Sequence, residues 1–428
     1  MSSFTSKLRQ RGPALLLASS LATAALHGQS PTLRDSIEAG ESYVMVITEN
    51  GELWTWGTES SGALGLGSTT TTLNPTRVID DHAWVDVAVG ANHTLAIADD
   101  GTLWGWGSND EFQLGDGSTA SHDTPVRISA ANNWVDVEAG DGYSLAITNT
   151  GELYGWGSNS NGQLLQSTTD VTNIRYPYSL KSSLQSDVGV AAVQRVATGD
   201  SHVLAVDSQG RLLGWGNNYL GQLGIPSLPK QRIIHAQVID GTRSWRAVEA
   251  ASMQSYAIDT SGSVYAFGID VLGNLGLGGQ TEAATPTRIA FPTTVDVTSL
   301  AVGANHVLAV TASGDLYGWG SNMTPQGQLG IPVFDDNGIP VESNLQFSTP
   351  QNLKQKARST TDISGVSFTE VAAGTDFSMA RSGFNTLLGA GQNADNQLGI
   401  GNLFTVRNMF VRVPLGVPDL SLSRGSPA

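Results

Sequence analysis

Three histidines lie at the same position of a repeated segment, which makes them the first candidates for chemistry. They are His93, His202 and His306. The other copies carry Tyr43, Tyr143, Gln254 and Phe377 at this position. Imidazoles placed around a ring could bind a metal, but metal ligands must converge on a single ion. Tyrosine and phenylalanine at the same position favour packing together with a hydrogen bond.

Tryptophans recur in the same register and could form a platform for carbohydrate. They are Trp56, Trp106, Trp156, Trp215 and Trp319. Phe267 and Ala390 replace tryptophan in the two remaining copies. This strict register favours core packing between repeated units, where a large aromatic ring buries the most surface.

A calcium loop and a nucleophile are the remaining chemical candidates. Residues 335–338 read Asp-Asp-Asn-Gly, but the spacing is not D-x-D-x-D-G and no closing glutamate follows, so a plain turn is favoured. No G-x-S-x-G elbow and no cysteine occurs. We therefore expect no metal site, no cofactor and no enzymatic activity. A hydrolase or lyase with a site in a central channel is the alternative, and a funnel lined by several carboxylates and histidines would favour it.

The elements that hold these residues follow from a seven-fold internal repeat. The repeated segment is clearest at residues 51–57, 101–107, 151–157, 210–216, 262–268, 314–320 and 385–391. A glycine lies eleven positions before each segment, replaced by Ala251 in the fifth copy. Neighbouring copies start about fifty residues apart, a period that is typical of a four-stranded propeller blade.

One copy shows how the strands arise. Val85, Val87 and Val89 alternate with smaller or polar residues, as in a strand with one buried face. Residues 99–101 read Asp-Asp-Gly, a hairpin turn in which glycine takes a positive φ. A further strand follows at 103–106, and a fourth is expected directly after Pro125.

The C-terminal segment around Phe410–Val413 is left over once these strands are assigned. We infer that it pairs with the N-terminal segment and closes the ring, which removes open sheet edges. The fold class is therefore all-β: a seven-bladed β-propeller of four-stranded antiparallel blades over residues 36–414. The copies start near residues 37, 85, 135, 194, 246, 298 and 369.

The N-terminus reads as a secretory signal peptide over residues 1–28. A basic stretch with Lys7, Arg9 and Arg11 precedes an apolar segment that is too short to span a membrane. Its removal takes the formal charge from −16 to about −19, a balance that argues against nucleic acid and anionic membranes as partners. We expect a secreted monomer, extracellular or periplasmic. The tail at 415–428 carries no sorting motif, and whether the protein attaches to the envelope stays open.

Two long gaps between copies, at 165–191 and 331–367, are interpreted as insertions. Aromatic residues on loops held by a rigid ring suit partner recognition, and plain length variation is the alternative. The candidate partner-binding residues are Tyr176, Tyr178, Phe334, Asp335, Asp336 and Phe347.

The repeat as a whole resembles that of the regulator of chromosome condensation family. The pattern V-x-A-G-x-x-H-x-L-A-I followed by G-x-L-x-G-W-G-S-N-x-x-G-Q-L-G is clearest at 85–117, 135–164, 196–224 and 301–330. This resemblance implies a seven-bladed propeller. The family's nuclear founding member resembles an exchange factor for the Ran GTPase, which implies guanine-nucleotide exchange as a further alternative. This chain departs from that member by its export signal and its lack of a basic tail.

Secreted bacterial members of the family resemble a propeller inhibitor of β-lactamase that acts by binding protein. The compartment fits that comparison better, although no binding residue of the inhibitor matches this chain one to one. We therefore expect a secreted, non-enzymatic scaffold that binds a protein partner through loops on one face.

Overall fold

The alternating residues of each copy form four strands in a computed structural model of the chain. The structure describes residues 36–58, 61–68, 70–167, 172–190, 192–323, 327–332, 346–356, 363–383, 386–401 and 405–415. Seven sheets of four antiparallel strands follow one another along the chain, and the strand order within each sheet is the order in sequence. The predicted all-β, seven-bladed propeller is confirmed.

The strands of the first three blades are as follows. Blade one contains β1 (Ser36–Ala39), β2 (Tyr43–Ile47), β3 (Leu53–Gly57) and β4 (Thr72–Arg77). Blade two contains β5 (Trp84–Val89), β6 (His93–Ala98), β7 (Leu103–Gly107) and β8 (His122–Arg127). Blade three contains β9 (Trp134–Ala139), β10 (Tyr143–Thr148), β11 (Leu153–Ser158) and β12 (Asn173–Ser179), and helix α1 (Lys181–Val188) follows it.

The remaining four blades repeat this order. Blade four contains β13 (Val193–Thr198), β14 (His202–Asp207), β15 (Leu212–Asn217) and β16 (Arg232–Asp240). Blade five contains β17 (Trp245–Ala250), β18 (Gln254–Asp259), β19 (Val264–Ile269) and β20 (Glu282–Arg288). Blade six contains β21 (Val297–Val302), β22 (His306–Thr311), β23 (Leu316–Ser321) and β24 (Gln346–Asn352), followed by helix α2 (Leu353–Lys356). Blade seven contains β25 (Phe368–Ala373), β26 (Phe377–Ser382), β27 (Leu387–Gln392) and β28 (Val406–Arg412).

The first strand of each blade lies nearest the axis of the ring. The first strands β1, β5 and β9 contact one another in sequence, and β1 also contacts β25 of blade seven. The fourth strands form the outer rim. Connections between first and second strands therefore lie on the same face as those between third and fourth strands. The hairpin turns and the connections between blades lie on the opposite face, which we call the turn face.

The expectation that the termini share one sheet is wrong. Strand β28 pairs with β27 and completes blade seven, while β1 pairs with β2 inside blade one. Copy one has its own fourth strand downstream, so it needs none from the C-terminus. The ring closes by side-chain contacts instead: the indole nitrogen of Trp56 donates to the carbonyl of Gln397 at 2.9 Å.

The fourth strands also begin earlier than the sequence indicated. Strands β4 and β8 start three residues before Pro75 and Pro125 and contain these prolines. The pairing register shifts beside each proline, between Thr55 and Gly57 in blade one and between Gly105 and Gly107 in blade two. An outer edge strand with a bulge tolerates the missing N–H.

The predicted hairpin turns are confirmed in six copies. The turn glycines all have a positive φ of 75–81°: Gly51, Gly101, Gly151, Gly210, Gly262 and Gly314. Asn385, the glycine replacement in copy seven, lies outside the described residues. Among the described residues, no helix has the length and apolar character that crossing a membrane requires.

Candidate functional site

The three repeated histidines are buried between blades and do not converge. Each ring places Nε2 at 2.9 Å from a serine hydroxyl in the next blade: His93 with Ser144, His202 with Ser255, and His306 with Ser378. All three imidazoles are fully shielded from solvent. The interpretation of this position as packing with a hydrogen bond is confirmed.

The serine hydroxyls determine which imidazole nitrogen carries the proton. The Ser144 hydroxyl donates to the carbonyl of Gln113 at 2.6 Å, and Ser255 and Ser378 do the same to Gln222 and Gln328. Because the serine proton is already used, Nε2–H of the histidine must donate to the serine oxygen. Burial lowers the pKa of each imidazole to about 3. These histidines are neutral bridges between blades.

The sequence contains a pattern that predicts these bridges, but it is found only when neighbouring copies are compared. Where one copy has histidine at the repeat position, the next copy along the chain has serine one residue after that position. No other copy has serine there. The copies that follow another residue carry valine or threonine there: Thr94 follows Tyr43, Val203 follows Tyr143, Val307 follows Gln254, and Val44 follows Phe377. Comparing each copy with its neighbour would have found the pairing.

The repeated tryptophans are core residues, as predicted. All five are fully buried, and each indole N–H donates to a backbone carbonyl of the preceding blade at 2.7–2.9 Å. A buried indole needs such a partner. Their rings leave no surface for a carbohydrate platform.

The first strands, which lie nearest the axis, carry buried acidic side chains. Glu38, Glu138 and Glu249 lie on first strands and are buried. The Asp86 carboxylate accepts from the backbone N–H of Val137 in the next blade at 3.2 Å, so it joins two blades. Within the described part of the chain, no three His, Asp or Glu side chains are grouped to hold a metal ion. These buried acids do not line an open funnel of the kind that would favour a hydrolase or lyase.

One mouth of the channel is acidic. Burial, together with the charges of Asp141 and Glu41, raises the pKa of Asp200 to about 7, although a hydrogen bond from Ser252 lowers it. These acids lie on connections between first and second strands of different blades. The mouth would carry more negative charge as Asp200 loses its proton.

The two segments interpreted as insertions contain the missing fourth strands. Tyr176 and Tyr178 lie on β12 and expose 61% and 48% of their surface. Phe347 lies on β24 and is buried in the core. The expectation that these three side chains sit on added loops is wrong, because blades three and six use the segments to complete their sheets. Phe334, Asp335 and Asp336 lie outside the described residues.

Tyr176 borders a cleft on the turn side of the rim between blades two and three. The cleft has a volume of about 390 Å³, within the usual range for ligand sites. Its aromatic wall consists of Trp134, Tyr154 and Tyr176. Residues 128–131 and 133 of the connection from blade two form the other side. The structure thus brings one of the predicted partner-binding residues together with two aromatic residues that sequence reasoning did not select.

Comparison with known proteins identifies the repeat. Two models of the regulator of chromosome condensation repeat match this chain, the first at 50–97, 100–147, 150–206 and 261–310. The second matches at 84–113, 134–163, 193–222 and 297–328. Together they cover more than half of the sequence. The chain belongs to the regulator of chromosome condensation repeat family.

Members of this family with different roles match parts of the chain. The ultraviolet-B receptor UVR8 of Arabidopsis thaliana is 33% identical over 214 residues, 49% of this chain and 43% of the receptor. The guanine nucleotide exchange factor SRM1 of Saccharomyces cerevisiae is 28% identical over 200 residues, 44% of this chain and 39% of SRM1. The chain therefore spans less than half the length of these curated relatives.

The fold of the family extends over nearly the whole described chain. The crystal structure of Prp20p from Saccharomyces cerevisiae superposes with a TM-score of 0.71 and 24% identity, covering 86% of this chain and 87% of Prp20p. Prp20p binds Gsp1p and histones. At this identity the likeness shows a shared fold.

Proposed function

We propose that the protein is a secreted, non-enzymatic propeller that binds another protein at the rim of blade three. The observation that carries this proposal is the pair of tyrosines on β12, which are about half exposed beside an aromatic cleft. Tyrosine is enriched in protein interfaces because it offers a large contact area with few rotatable bonds. The described repeat histidines and tryptophans are buried between blades, so they leave the binding role to surface residues.

The non-enzymatic part of the proposal is supported by how the polar repeat residues are used. The histidines bridge blades, are shielded from solvent and are held neutral. General acid–base chemistry needs a group that can exchange a proton near neutral pH within reach of a substrate. Asp200 has a suitable pKa, but His202, two residues further on, is fully buried and its Nε2 bonds to Ser255.

Affinity capture with matched variants tests the binding surface. The double variant Tyr176→Ala with Tyr178→Ala should lose the proteins that the unmodified chain retains. Tyr219→Ala is the control, because Tyr219 exposes 53% of its surface in a different blade. Identical sets of captured proteins for all three chains would show that the partner does not bind at blade three. If none of the chains captured a protein, the proposed protein binding would be wrong.

Secretion is tested separately from binding. The basic and apolar segment within residues 1–28 supports export. Expression of the full chain in a secreting bacterium should release a product whose N-terminus lies near residue 28. An uncleaved chain retained in the cytoplasm would contradict the proposal.

Guanine-nucleotide exchange is the second candidate, favoured by the match to SRM1 over 44% of this chain. Its test is the rate at which the purified chain releases labelled GDP from a Ran-type GTPase. Acceleration well above the spontaneous rate would establish this activity. An unchanged rate leaves the scaffold proposal as the better account.

A further inference from the structure

The blades differ in what covers one recurrent pair of aromatic rings. One ring belongs to the residue that begins the first strand, and the other to the second residue of the third strand. The pairs are Trp84 with Trp104, Trp134 with Tyr154, and Trp245 with Tyr265. The last two pairs have the same geometry: ring centroids are 5.0 Å apart, and the planes meet at 80° and 79°.

In blade five the protein covers this pair with a cation of its own. The guanidinium carbon of Arg243 lies 5.0 Å from the ring centre of Tyr265 and 5.9 Å from that of Trp245. A cation at such a distance is attracted by the negative face of the ring. Asp240 forms an ion pair with Arg243 and holds it there.

In blade two a histidine covers the pair instead. The ring of His82 lies 4.3 Å from the ring of Trp104 and 5.5 Å from that of Trp84. His82 and Arg243 occupy the same repeat position, two residues before the tryptophan. Asp80 hydrogen-bonds to His82, as Asp240 does to Arg243.

Blade three lacks this covering side chain. Asn132 stands at the position of His82 and Arg243, and it has neither a charge nor a ring. The cleft of about 390 Å³ opens beside it, lined by its chain neighbours Ala131 and Asn133 and by the rings of Trp134 and Tyr154. Tyr154 is only half-buried, whereas its counterpart Tyr265 beneath Arg243 is buried.

An acid also lies beside the open cleft. Burial and the neighbouring carboxylate of Glu152 raise the pKa of Tyr154. Glu152 accepts a hydrogen bond from Ser179 at 2.6 Å and lies 3.7 Å from Lys181. A carboxylate thus lies next to the ring of Tyr154, paired with Lys181, as the Asp259 carboxylate lies next to the ring of Tyr265 and accepts a hydrogen bond from its hydroxyl at 3.3 Å.

We propose that the cleft between blades two and three takes the guanidinium of an arginine side chain from a bound protein. The internal repeat itself supplies the argument: the same aromatic pair binds an arginine from within the chain in blade five. The inference rests on the proposed protein-binding function and names the group that the partner would insert. Exposed Tyr176 would then contact the segment flanking that arginine.

A titration of the full chain tests the cleft without a known partner. The probe is the tripeptide acetyl-Gly-Arg-Gly-amide, and its control has the arginine replaced by citrulline, which is neutral but similar in shape. The readout is the ¹⁵N–H resonance of the Trp134 indole, assigned through its loss in Trp134→Phe. The arginine peptide should shift this resonance in a saturable manner, and the citrulline peptide should not. An unmoved resonance, or equal shifts with both peptides, would overturn the proposal.

Variants of the two equivalent positions sharpen this test. Arg243→Ala should make the Trp245 resonance respond to the arginine peptide, because it opens the equivalent site in blade five. Asn132→Arg should abolish the Trp134 response and raise the unfolding midpoint by about 1–3 °C. Asn132→Gln is its control and should do neither. A Trp134 response that persists in Asn132→Arg would contradict the assigned site.

The outcomes separate this inference from the proposed function. Partner capture that depends on Tyr176 and Tyr178, combined with no response to the peptide, would overturn the arginine site and leave protein binding intact. A selective response without any captured partner would overturn the proposed function and retain a guanidinium site.

Discussion

Each buried histidine depends on one serine of the next blade. The imidazole N–H of His93 has the Ser144 hydroxyl as its acceptor. Ser144→Ala should therefore leave a buried donor unsatisfied and reduce the free energy of unfolding by about 1–3 kcal/mol. The carbonyl of Gln113 keeps its bond from Trp156 in this variant, so the loss is confined to the histidine.

Urea unfolding measures this effect against a matched serine. Ser121→Ala serves as the control, because Ser121 is exposed at the residue before β8. A free energy of unfolding for Ser144→Ala that equals the control would mean that the bridge contributes nothing to stability.

The same histidines should make the protein sensitive to acid. Their pKa is about 3 in the folded state, compared with 6.5 for an unperturbed imidazole. The unfolded chain therefore binds more protons between these values, and stability falls as the pH drops from about 6.5 towards 3. Asp200 acts in the opposite direction: its pKa is raised to about 7, so its contribution is lost as the pH rises from 3.8 through 7.

Unfolding midpoints measured between pH 8 and pH 4 test this sensitivity. The variant His93→Phe with Ser144→Val copies the Phe377 and Val44 pair of the ring and should lose part of the acid sensitivity. A midpoint whose pH dependence matches that of the unmodified chain would show that His93 does not take up a proton on unfolding.

At the scale of single elements, the turn between first and second strands needs glycine wherever an aromatic ring follows. A Cβ atom on Gly90 would lie 2.6 Å from Nδ1 of His93. Copy five has Gln254 in place of the ring, and it is the copy that carries alanine, Ala251. Gly90→Ala should therefore reduce the free energy of unfolding by about 1–3 kcal/mol through overpacking.

Ala251→Gly is the reciprocal change and should cost no more than about 1 kcal/mol, the usual difference in backbone entropy. Both variants can be compared in one denaturant series. Equal losses for the two would indicate that backbone freedom, and not the ring, determines the residue at this turn.

The strands show how far the sequence predicts single elements and where it does not. The first three strands of each blade are almost entirely buried, and their apolar residues or the repeated tryptophan mark them in the sequence. The fourth strands lie at the rim and are mostly half-buried or exposed, as in β12 and β24. Without a buried face they lack the apolar alternation on which a prediction depends, and Tyr176, Tyr178 and Phe347 were therefore placed on loops.

At the scale of the whole molecule, the number of blades follows from the repeat, but the closure of the ring does not. Counting copies predicts seven blades. Whether the last strand pairs with the first blade or with the seventh depends on long-range packing that no single copy encodes. The structure has each blade built from one continuous segment, with β1 against β25 and Trp56 bonded to Gln397 at the junction.

The candidate site was only partly predictable for the same reason. Tyr176 was selected because it is aromatic and lies outside the recognised repeat. Its neighbours Trp134 and Tyr154 lie within the repeated copies and were not among the candidate residues. Comparing Asn132 with His82 and Arg243 on the folded blades shows that the aromatic pair of blade three has no covering side chain and borders a cleft.

The most direct test of the account is the affinity of the purified chain for a protein obtained by capture, measured by calorimetry. The account predicts that Tyr176→Ala with Tyr178→Ala weakens binding at least tenfold, about 1.4 kcal/mol. Tyr219→Ala should leave the affinity within about twofold of the unmodified chain, a difference of roughly 0.4 kcal/mol. Equal affinities for all three chains would contradict the claim that the rim of blade three binds the partner.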